Sequence, residues 1–410
     1  MVFRKIKQIR SDYKYIIWSR NLVLIDIALK LCYASDETIR ELTRVLSTFS
    51  VSEIHYSMRK MKMTTRRYTM GKTSFSLTSE IRSMVMTRLL EKLREHYVFP
   101  KIAQTIEIDL QRRLSEGEYD EITEAVVFCE VVTEQMYEIS QDRHLCIFYH
   151  PEAQPVYEDT NLYNDPQWQA NERQRALLQN FGFQKIERLL GNVGYLDLRY
   201  FYHPEFAGDV AIAAMNFLSQ TSALIIDLRE NSGGENYMAH LLTSYLLHAE
   251  PILLNSFYLH PQQSTQQCWT FPYVPGNRYV NKPVYILTGA NTASAAEEFA
   301  YTLQHLKRAV IVGERTVGAA NPIERYQITP HFETYIPMGY VTNAITKTNW
   351  EGTGVIPDKQ VPQEDALKVA HVEAVEKVLE ITGENIQSPA YQALRQEAHL
   401  LIKGLLTSEE

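Results

Sequence analysis

Four cysteines in 410 residues are too few and too widely spaced for a disulfide framework or a cysteine-based metal site. They are Cys32, Cys129, Cys146 and Cys268. None belongs to a C-x-x-C pair, so we interpret them as reduced side chains, mostly buried in the fold. This favours a reducing compartment, and we expect a cytoplasmic protein.

Long apolar runs are also absent. No stretch approaches the ~18 residues that a membrane-spanning helix needs, so we predict no transmembrane segment. The most apolar N-terminal stretch, residues 21–34, is interrupted by Asp26 and Lys30 and lacks a clear cleavage site. It is typical of an amphipathic helix, and export with an atypical leader is the alternative.

Basic residues are scarce outside the N-terminus. The net charge is −8, but residues 1–72 carry 15 Lys and Arg against 6 Asp and Glu, a net charge of about +9 that leaves about −17 for the remainder. An acidic main body argues against nucleic acid as a partner. We interpret the basic segment as helices whose charged faces are solvated. An alternative function of the chain is a protein-interaction scaffold that binds partners through these helices.

The apolar periodicity divides the chain into parts. Apolar residues at helical spacing predict three helices between Leu77 and Ile139, the first of them capped by Ser76 or Thr78. Strands alternate with helices from Asn192 to about Asp358, which predicts an α/β core. The predicted parts are a basic helical extension (1–75), a helical bundle (76–150), a connecting segment (151–191), the core (192–380) and a C-terminal helix (381–410).

Pro283–Leu303, PVYILTGANTASAAEEFAYTL, has the pattern of a buried strand, a turn of small residues and a helix. Such a turn lifts the hydroxyl of Ser294 clear of the sheet and leaves the first N–H groups of the helix free to face a developing anion. Ser294 is therefore a candidate nucleophile. Ser294 and Glu297 also form S-x-x-E, so an ordinary capping box is the alternative.

Three other segments carry groups that suit one hydrolytic site. The paired glycines Gly233 and Gly234 follow a buried strand and predict an anion-binding nest of N–H groups, or else a plain strand-to-helix turn. His144 lies between a predicted helix and a predicted strand. It is either a general base or a structural histidine. Glu351 heads a glycine-punctuated turn, where it either orients an imidazole or is solvated.

These motifs resemble a known family. N-V-G-Y-L-D-L, L-I-I-D-L-R-E-N-S-G-G, V-Y-I-L-T-G-A-N-T-A-S-A-A-E-E-F-A, V-G-E-R-T-V-G-A-A and N-W-E-G-T-G-V-I-P-D occur in the order and spacing of the C-terminal processing (tail-specific) serine peptidases. The helical part, with H-Y-V-F-P and Q-D-R-H-L, is similar to the interphotoreceptor retinoid-binding-protein-like branch. The resemblance runs from about Leu77 to Val378, and residues 1–75 lie outside it.

The resemblance implies a crotonase-like spiral of ββα units as the core. It implies Ser294 as the nucleophile, with the oxyanion bound by the N–H groups of Gly233 or Gly234 and of Ala295. Ala319 occupies the position of the lysine base that many members carry in a G-x-x-T-x-G-K turn.

The candidate base is therefore a histidine. The chain resembles the tricorn-core arrangement, in which a histidine of the helical subdomain is the base and a glutamate assists. His144 and Glu351 match those positions, although Arg143 stands where tricorn-like sites have a serine.

We thus expect a serine peptidase that acts on peptides or proteins without a cofactor or a metal. About 48 residues separate His144 from Val193, too few for the ~80–90-residue peptide-tethering PDZ domain of many relatives. The aromatic insert Asn255–Val280 is either a lid or a surface excursion. The alternative function is a non-catalytic carrier of an apolar ligand, a retinoid or a fatty acid, and the sequence does not assign an oligomeric state.

Overall fold

The structure is a computed structural model, and it describes residues 75–156, 166–260, 262–383 and 388–406. Apart from Phe75, the predicted basic extension lies outside the described residues, as does the apolar stretch 21–34. The described residues all belong to one compact unit, Phe75–Glu410.

Helices and strands alternate through most of the described chain. The helices are α1 Ser79–His96, α2 Pro100–Ser115, α3 Ala125–Ser140, α4 Pro166–Leu178, α5 Pro204–Leu218, α6 Asn236–Leu246, α7 Ala295–His305, α8 Ala366–Thr382 and α9 Pro389–Leu406. The strands are β1 Cys146–Tyr149, β2 Phe183–Leu189, β3 Val193–Leu198, β4 Ala223–Asp227, β5 Leu253–Leu259, β6 Ser264–Trp269, β7 Val284–Thr288, β8 Val310–Gly313, β9 Ile323–Thr329, β10 Phe332–Pro337, β11 Gly339–Asn343 and β12 Lys359–Gln360.

The three helices predicted between Leu77 and Ile139 are confirmed as α1, α2 and α3. Thr78 caps α1, because its Oγ1 accepts the N–H of Ile81 at 3.3 Å. The apolar stripes of the three helices form one core that also takes in residues of β1, β9 and β10. The helical part therefore packs directly on strands from late in the sequence.

A six-stranded sheet in the order β12-β8-β7-β4-β3-β2 forms the centre of the α/β part. β2 runs antiparallel to β3 and the other neighbours are parallel. Along β4, Leu224 and Ile226 pack toward α5, α6 and α7, whereas Ala223 and Ile225 pack toward α8. Both faces are buried, which explains why this strand reads as an unbroken apolar run. The predicted α/β fold is confirmed.

Two three-stranded sheets flank the centre, in the orders β1-β10-β9 and β11-β5-β6. β1 follows the helical part and pairs antiparallel with β10, so that Cys146 lies opposite Tyr335. β5 and β6 form a hairpin that includes the first half of the aromatic insert. These sheets connect the helical part to the segments that follow β8.

His150–Ala170 is polar and contains three prolines, which predicts a loop, and this prediction is wrong at its end because α4 begins at Pro166. Proline fits the first position of a helix, where its missing N–H has no intrahelical partner, so Pro166 begins a helix rather than interrupting one. Within the described residues, no helix is both long and apolar enough to cross a bilayer.

The central strand β7 leads into the turn that carries Ser294. Its buried side chains contribute to the stability of the sheet. Ile286 of β7 is fully buried. We expect Ile286→Ala to lower the free energy of unfolding by about 2–5 kcal/mol and Ile286→Val by about 0.5–1.5 kcal/mol, measured by chemical denaturation. Ile381→Ala is the control, because Ile381 is 61% exposed. A loss at Ile381 as large as that at Ile286 would contradict the assignment of the core.

Candidate active site

Ser294 lies between the carboxyl end of β7 and the first residue of α7. Its backbone has φ 54° and ψ −123°, whereas an ordinary helix N-cap residue has β-region angles. A non-glycine residue in this region carries about 1–3 kcal/mol of strain, and such residues cluster at functional sites. The geometry is that of a strained strand-to-helix turn that presents a side chain, as a nucleophilic serine requires.

The turn before Ser294 is tied to the loop that follows β4. Thr292 Oγ1 donates to the carbonyl oxygen of Leu228 at 2.7 Å, and the N–H of Ala293 donates to that of Asn231 at 3.1 Å. Asn231 is fully buried and donates its Nδ2 to the carbonyl oxygen of Leu198 at 2.9 Å. The neighbouring strand-end loops are thereby fixed relative to each other.

Of the two glycines predicted to bind the oxyanion, Gly233 lies beside Ser294. Gly233 and Gly234 have φ +103° and +126°, and a Cβ placed on Gly233 would stand 2.7 Å from Ser294 Cβ and 3.3 Å from the nitrogen of Ala295. The N–H of Gly233 donates to Asn231 Oδ1 at 2.8 Å. The N–H groups of Gly234 and Ala295 donate no hydrogen bond within the described residues. Two of the three predicted donors are thus unengaged.

Glu297 is a functional candidate that the sequence suggested only as part of a capping box. Its fully buried carboxylate accepts the N–H of Ser294 at 2.9 Å, of Gly318 at 2.7 Å and of Ala319 at 2.9 Å, together with the Thr316 hydroxyl. Burial raises the pKa of Glu297 to about 7 in spite of these hydrogen bonds. The carboxylate therefore joins the turn of Ser294 to residues 316–319.

His144 lies in the turn between α3 and β1. The residue is half-buried, but its Nδ1 is fully buried and has no hydrogen-bond partner among the described residues. Burial lowers the pKa of His144 to about 4, and the adjacent backbone of Asn321 partly opposes that shift. Within the described residues, no hydrogen bond joins the imidazole to Ser294 or to Glu351. The ring is therefore neutral at neutral pH, as a proton acceptor must be.

Glu351 is saturated by main-chain donors. Its Oε1 accepts the N–H of Arg143 at 3.0 Å, and its Oε2 accepts those of Ala320 at 2.6 Å and Asn321 at 3.0 Å. Burial, with the charge of Asp142 as the second cause, raises the pKa of Glu351 to about 7. Its contacts thus reach the backbone beside His144, and its role toward the imidazole stays a prediction.

Residues 316–321 connect the two sides of the site. Gly318 and Ala319 share the Glu297 carboxylate with Ser294, and Ala320 and Asn321 bind Glu351. The segment therefore carries a continuous set of hydrogen bonds from the serine turn to the histidine turn.

A cavity of 340 Å³ lies beside the residues that hydrogen-bond the turn of His144. Its walls include Phe99, Asp142, Asn321, Tyr340 and Glu351, but neither Ser294 nor His144. Within the described part of the chain, no group of three or more His, Cys, Asp or Glu side chains is arranged to hold a metal ion.

Two family descriptions match this chain. Residues 192–361 match peptidase family S41, and residues 75–184 match the N-terminal domain of peptidase S41 in eukaryotic IRBP. The first match contains Ser294, Glu297 and Glu351, and the second contains His144.

Curated relatives agree with these matches. A carboxy-terminal-processing protease of Bartonella bacilliformis is 27% identical over 190 residues, 43% of this chain and 40% of its own length. A carboxyl-terminal-processing protease of Synechocystis is 32% identical over 128 residues, 31% of this chain and 28% of its own length. The matched part is thus less than half of each relative. A solved structure of a putative S41 protease from Bacteroides fragilis is 15% identical, covers 78% of this chain and 96% of its own, and has a TM-score of 0.47.

The close approach of Gly233 to Ser294 gives a test of the site. We expect Gly233→Ala to slow the reaction of Ser294 with a serine-reactive fluorophosphonate by about 10²-fold or more, because the new Cβ overlaps Ser294 Cβ at 2.7 Å and disturbs the nearby oxyanion donors. Gly208→Ala is the matched control, since its Cβ would meet no atom within 4 Å. Equal labelling rates for the two variants would contradict the geometry.

The buried imidazole predicts a pH dependence of stability. Because the pKa of His144 is lowered from 6.5 to about 4, its contribution to stability is present above pH 6.5 and is lost as the pH falls through 4. We expect the free energy of unfolding of the wild type, relative to His144→Gln, to fall by up to about 3 kcal/mol over this range. Denaturant unfolding at a series of pH values measures the difference, and parallel curves would show that the imidazole is not buried.

Proposed function

We propose that this chain, which belongs to peptidase family S41, hydrolyses peptide bonds by acyl transfer through Ser294. The observation that carries the proposal is the strained turn that places Ser294 at the start of α7, beside Gly233 and beside the N–H of Ala295, which donates no hydrogen bond within the described residues. Helix N-termini and turns of this kind stabilise a developing oxyanion. Peptides or proteins are the substrates.

In the first step Ser294 Oγ attacks the carbonyl carbon of the scissile peptide bond while His144 takes the hydroxyl proton. The carbonyl oxygen becomes an oxyanion that the N–H groups of Gly234 and Ala295 bind, with Gly233 shaping the space. The imidazolium then gives its proton to the leaving amine, and the C–N bond breaks to leave an ester on Ser294. Water hydrolyses this ester by the reverse proton path.

Glu351 supports the base in this proposal. Its carboxylate, held by three main-chain N–H groups, lies at the backbone of the histidine turn and stabilises the imidazolium by its charge. Glu297 holds the serine turn against residues 316–319 and thereby preserves the strained backbone of Ser294.

We also assign the finer architecture as part of this proposal. The core is a crotonase-like ββα spiral over residues 192–380, and the helical bundle 76–150 supplies the base. The segment between them contains no PDZ domain. The shortness of the stretch between His144 and Val193, in which β1, α4, β2 and two three-residue 3₁₀ turns are the described elements, supports this assignment.

Ser294→Ala tests the function. We expect the wild type to be labelled by a fluorophosphonate and to hydrolyse an unfolded protein substrate, and we expect the variant to lose both activities by at least about 10⁴-fold, because no other group supplies the acyl acceptor. Labelling is read by intact-protein mass spectrometry, and hydrolysis by the release of peptides.

Ser83→Ala is the control, since Ser83 is an exposed serine of α1. Labelling of Ser294→Ala at the wild-type rate would place the nucleophile elsewhere. A wild type that is not labelled near neutral pH, but that binds a fluorescent fatty acid or retinoid equally well with and without Ser294, would favour the carrier interpretation.

A further inference from the structure

The turn that carries His144 is held by two carboxylates, one on each of two successive peptide N–H groups. Asp142 Oδ1 accepts the N–H of His144 at 3.1 Å, and Glu351 Oε1 accepts the N–H of Arg143 at 3.0 Å. The backbone of the turn is therefore fixed on both sides of the peptide bond that precedes the histidine.

Asn321 joins the two carboxylates. Its side-chain Nδ2 donates to Asp142 Oδ2 at 2.9 Å, and its backbone N–H donates to Glu351 Oε2 at 3.0 Å. The backbone of Asn321 also lies beside the ring of His144. Asp142 is 2% exposed and Asn321 is 3% exposed, so the loss of either partner leaves a buried polar group on the other.

The ring of His144 has no carboxylate to orient it within the described residues. Among the described residues, Nδ1 of the ring has no hydrogen-bond partner. Both oxygens of Glu351 accept hydrogen bonds from main-chain N–H groups. The orientation of the imidazole then depends on the backbone of its own turn and on the backbone of Asn321, which lies beside the ring. This arrangement differs from a triad in which the acid binds the imidazole directly.

We propose that Asp142 and Asn321 are a pair of positioning residues that fix His144 toward Ser294, through the hydrogen bonds of Asp142 to the Asn321 side chain and to the His144 backbone. The inference rests on the proposed peptidase function, for which His144 is the base. The pair joins the helical part to residues 316–321, and Tyr97 at the end of α1 donates its hydroxyl to the same carboxylate at 3.3 Å. Neither residue contacts the reacting atoms.

In this pair Asn321 donates the hydrogen bond and Asp142 accepts it. Exchanging the two side chains therefore tests the proposal. Asp142→Asn places two amide donors face to face, or turns the amide oxygen away from the N–H of His144. Asn321→Asp places a third carboxylate against Asp142 and Glu351, and like charges at this separation repel strongly in a buried site. The double variant D142N/N321D restores one acceptor and one donor in reversed order, and the new amide at position 142 still offers an oxygen to the N–H of His144.

We expect each single variant to slow fluorophosphonate labelling of Ser294 by about tenfold or more, and the double variant to return to within about threefold of the wild type, because two residues in one buried hydrogen-bond network couple strongly. The acid limb of the labelling rate against pH should move upward in Asn321→Asp, since an added negative charge near the ring raises the pKa of His144. If His144 is not the base, that limb stays in place.

A second measurement does not depend on activity. Amide hydrogen exchange of the peptide that covers residues 141–147 should become faster in both single variants and return to the wild-type rate in the double variant. Asp109→Asn is the matched control: Asp109 is a partly buried carboxylate of α2 that pairs with Arg112 and Arg113. It should leave both the labelling rate and the exchange of residues 141–147 unchanged.

The outcomes separate the two hypotheses. If the wild type is not labelled, the proposed function fails, and hydrogen exchange alone decides whether the pair holds the turn. If the wild type is labelled but the double variant stays as slow as the single variants, or if the single variants label and exchange as the wild type does, the positioning role is wrong. Recovery of both rates in the double variant supports it.

Discussion

The carboxylate of Glu297 is the contact on which the serine side of the site depends. It binds the N–H of Ser294 on one side and those of Gly318 and Ala319 on the other, and it is fully buried. In such surroundings each hydrogen bond is stronger than in water, and the loss of one leaves an unsatisfied donor. The backbone strain at Ser294 is maintained because these contacts leave the turn no relaxed alternative. The remaining parts of the site are arranged around the segment that Glu297 holds.

Buried acids recur throughout the site. Glu297, Glu351 and Asp142 are each saturated mainly by main-chain N–H groups or neutral side chains, and none is paired with a lysine or an arginine in the described residues. Burial raises the pKa of all three. The fold therefore disfavours the ionised form of these acids, and their main-chain and neutral side-chain donors offset part of that cost.

Periodicity and turn chemistry were sufficient to predict the supports of the site. The apolar stripes of α1 to α3 and the strand, turn and helix around Ser294 are local patterns, and the structure confirms them. The roles of Asp142 and Asn321 were not predictable, because these partners lie 179 residues apart and neither carries a local signal. Glu297 was visible as the fourth residue of a capping box, but its second set of partners depends on the path of residues 316–319. The assignments of Ser294, His144 and Glu351 to chemistry stay predictions.

The pairing of β1 with β10 has a consequence for biosynthesis. A nascent chain emerges from the ribosome with its N-terminal residues first, so the strand that follows the histidine turn must wait for residues 332–337 before it gains a neighbour. The turn itself needs Asn321 and Glu351, which emerge later still than most of the sheet. A translation product that stops before these residues would therefore contain both the imidazole and the hydroxyl, but not the residues that hold the turn of His144.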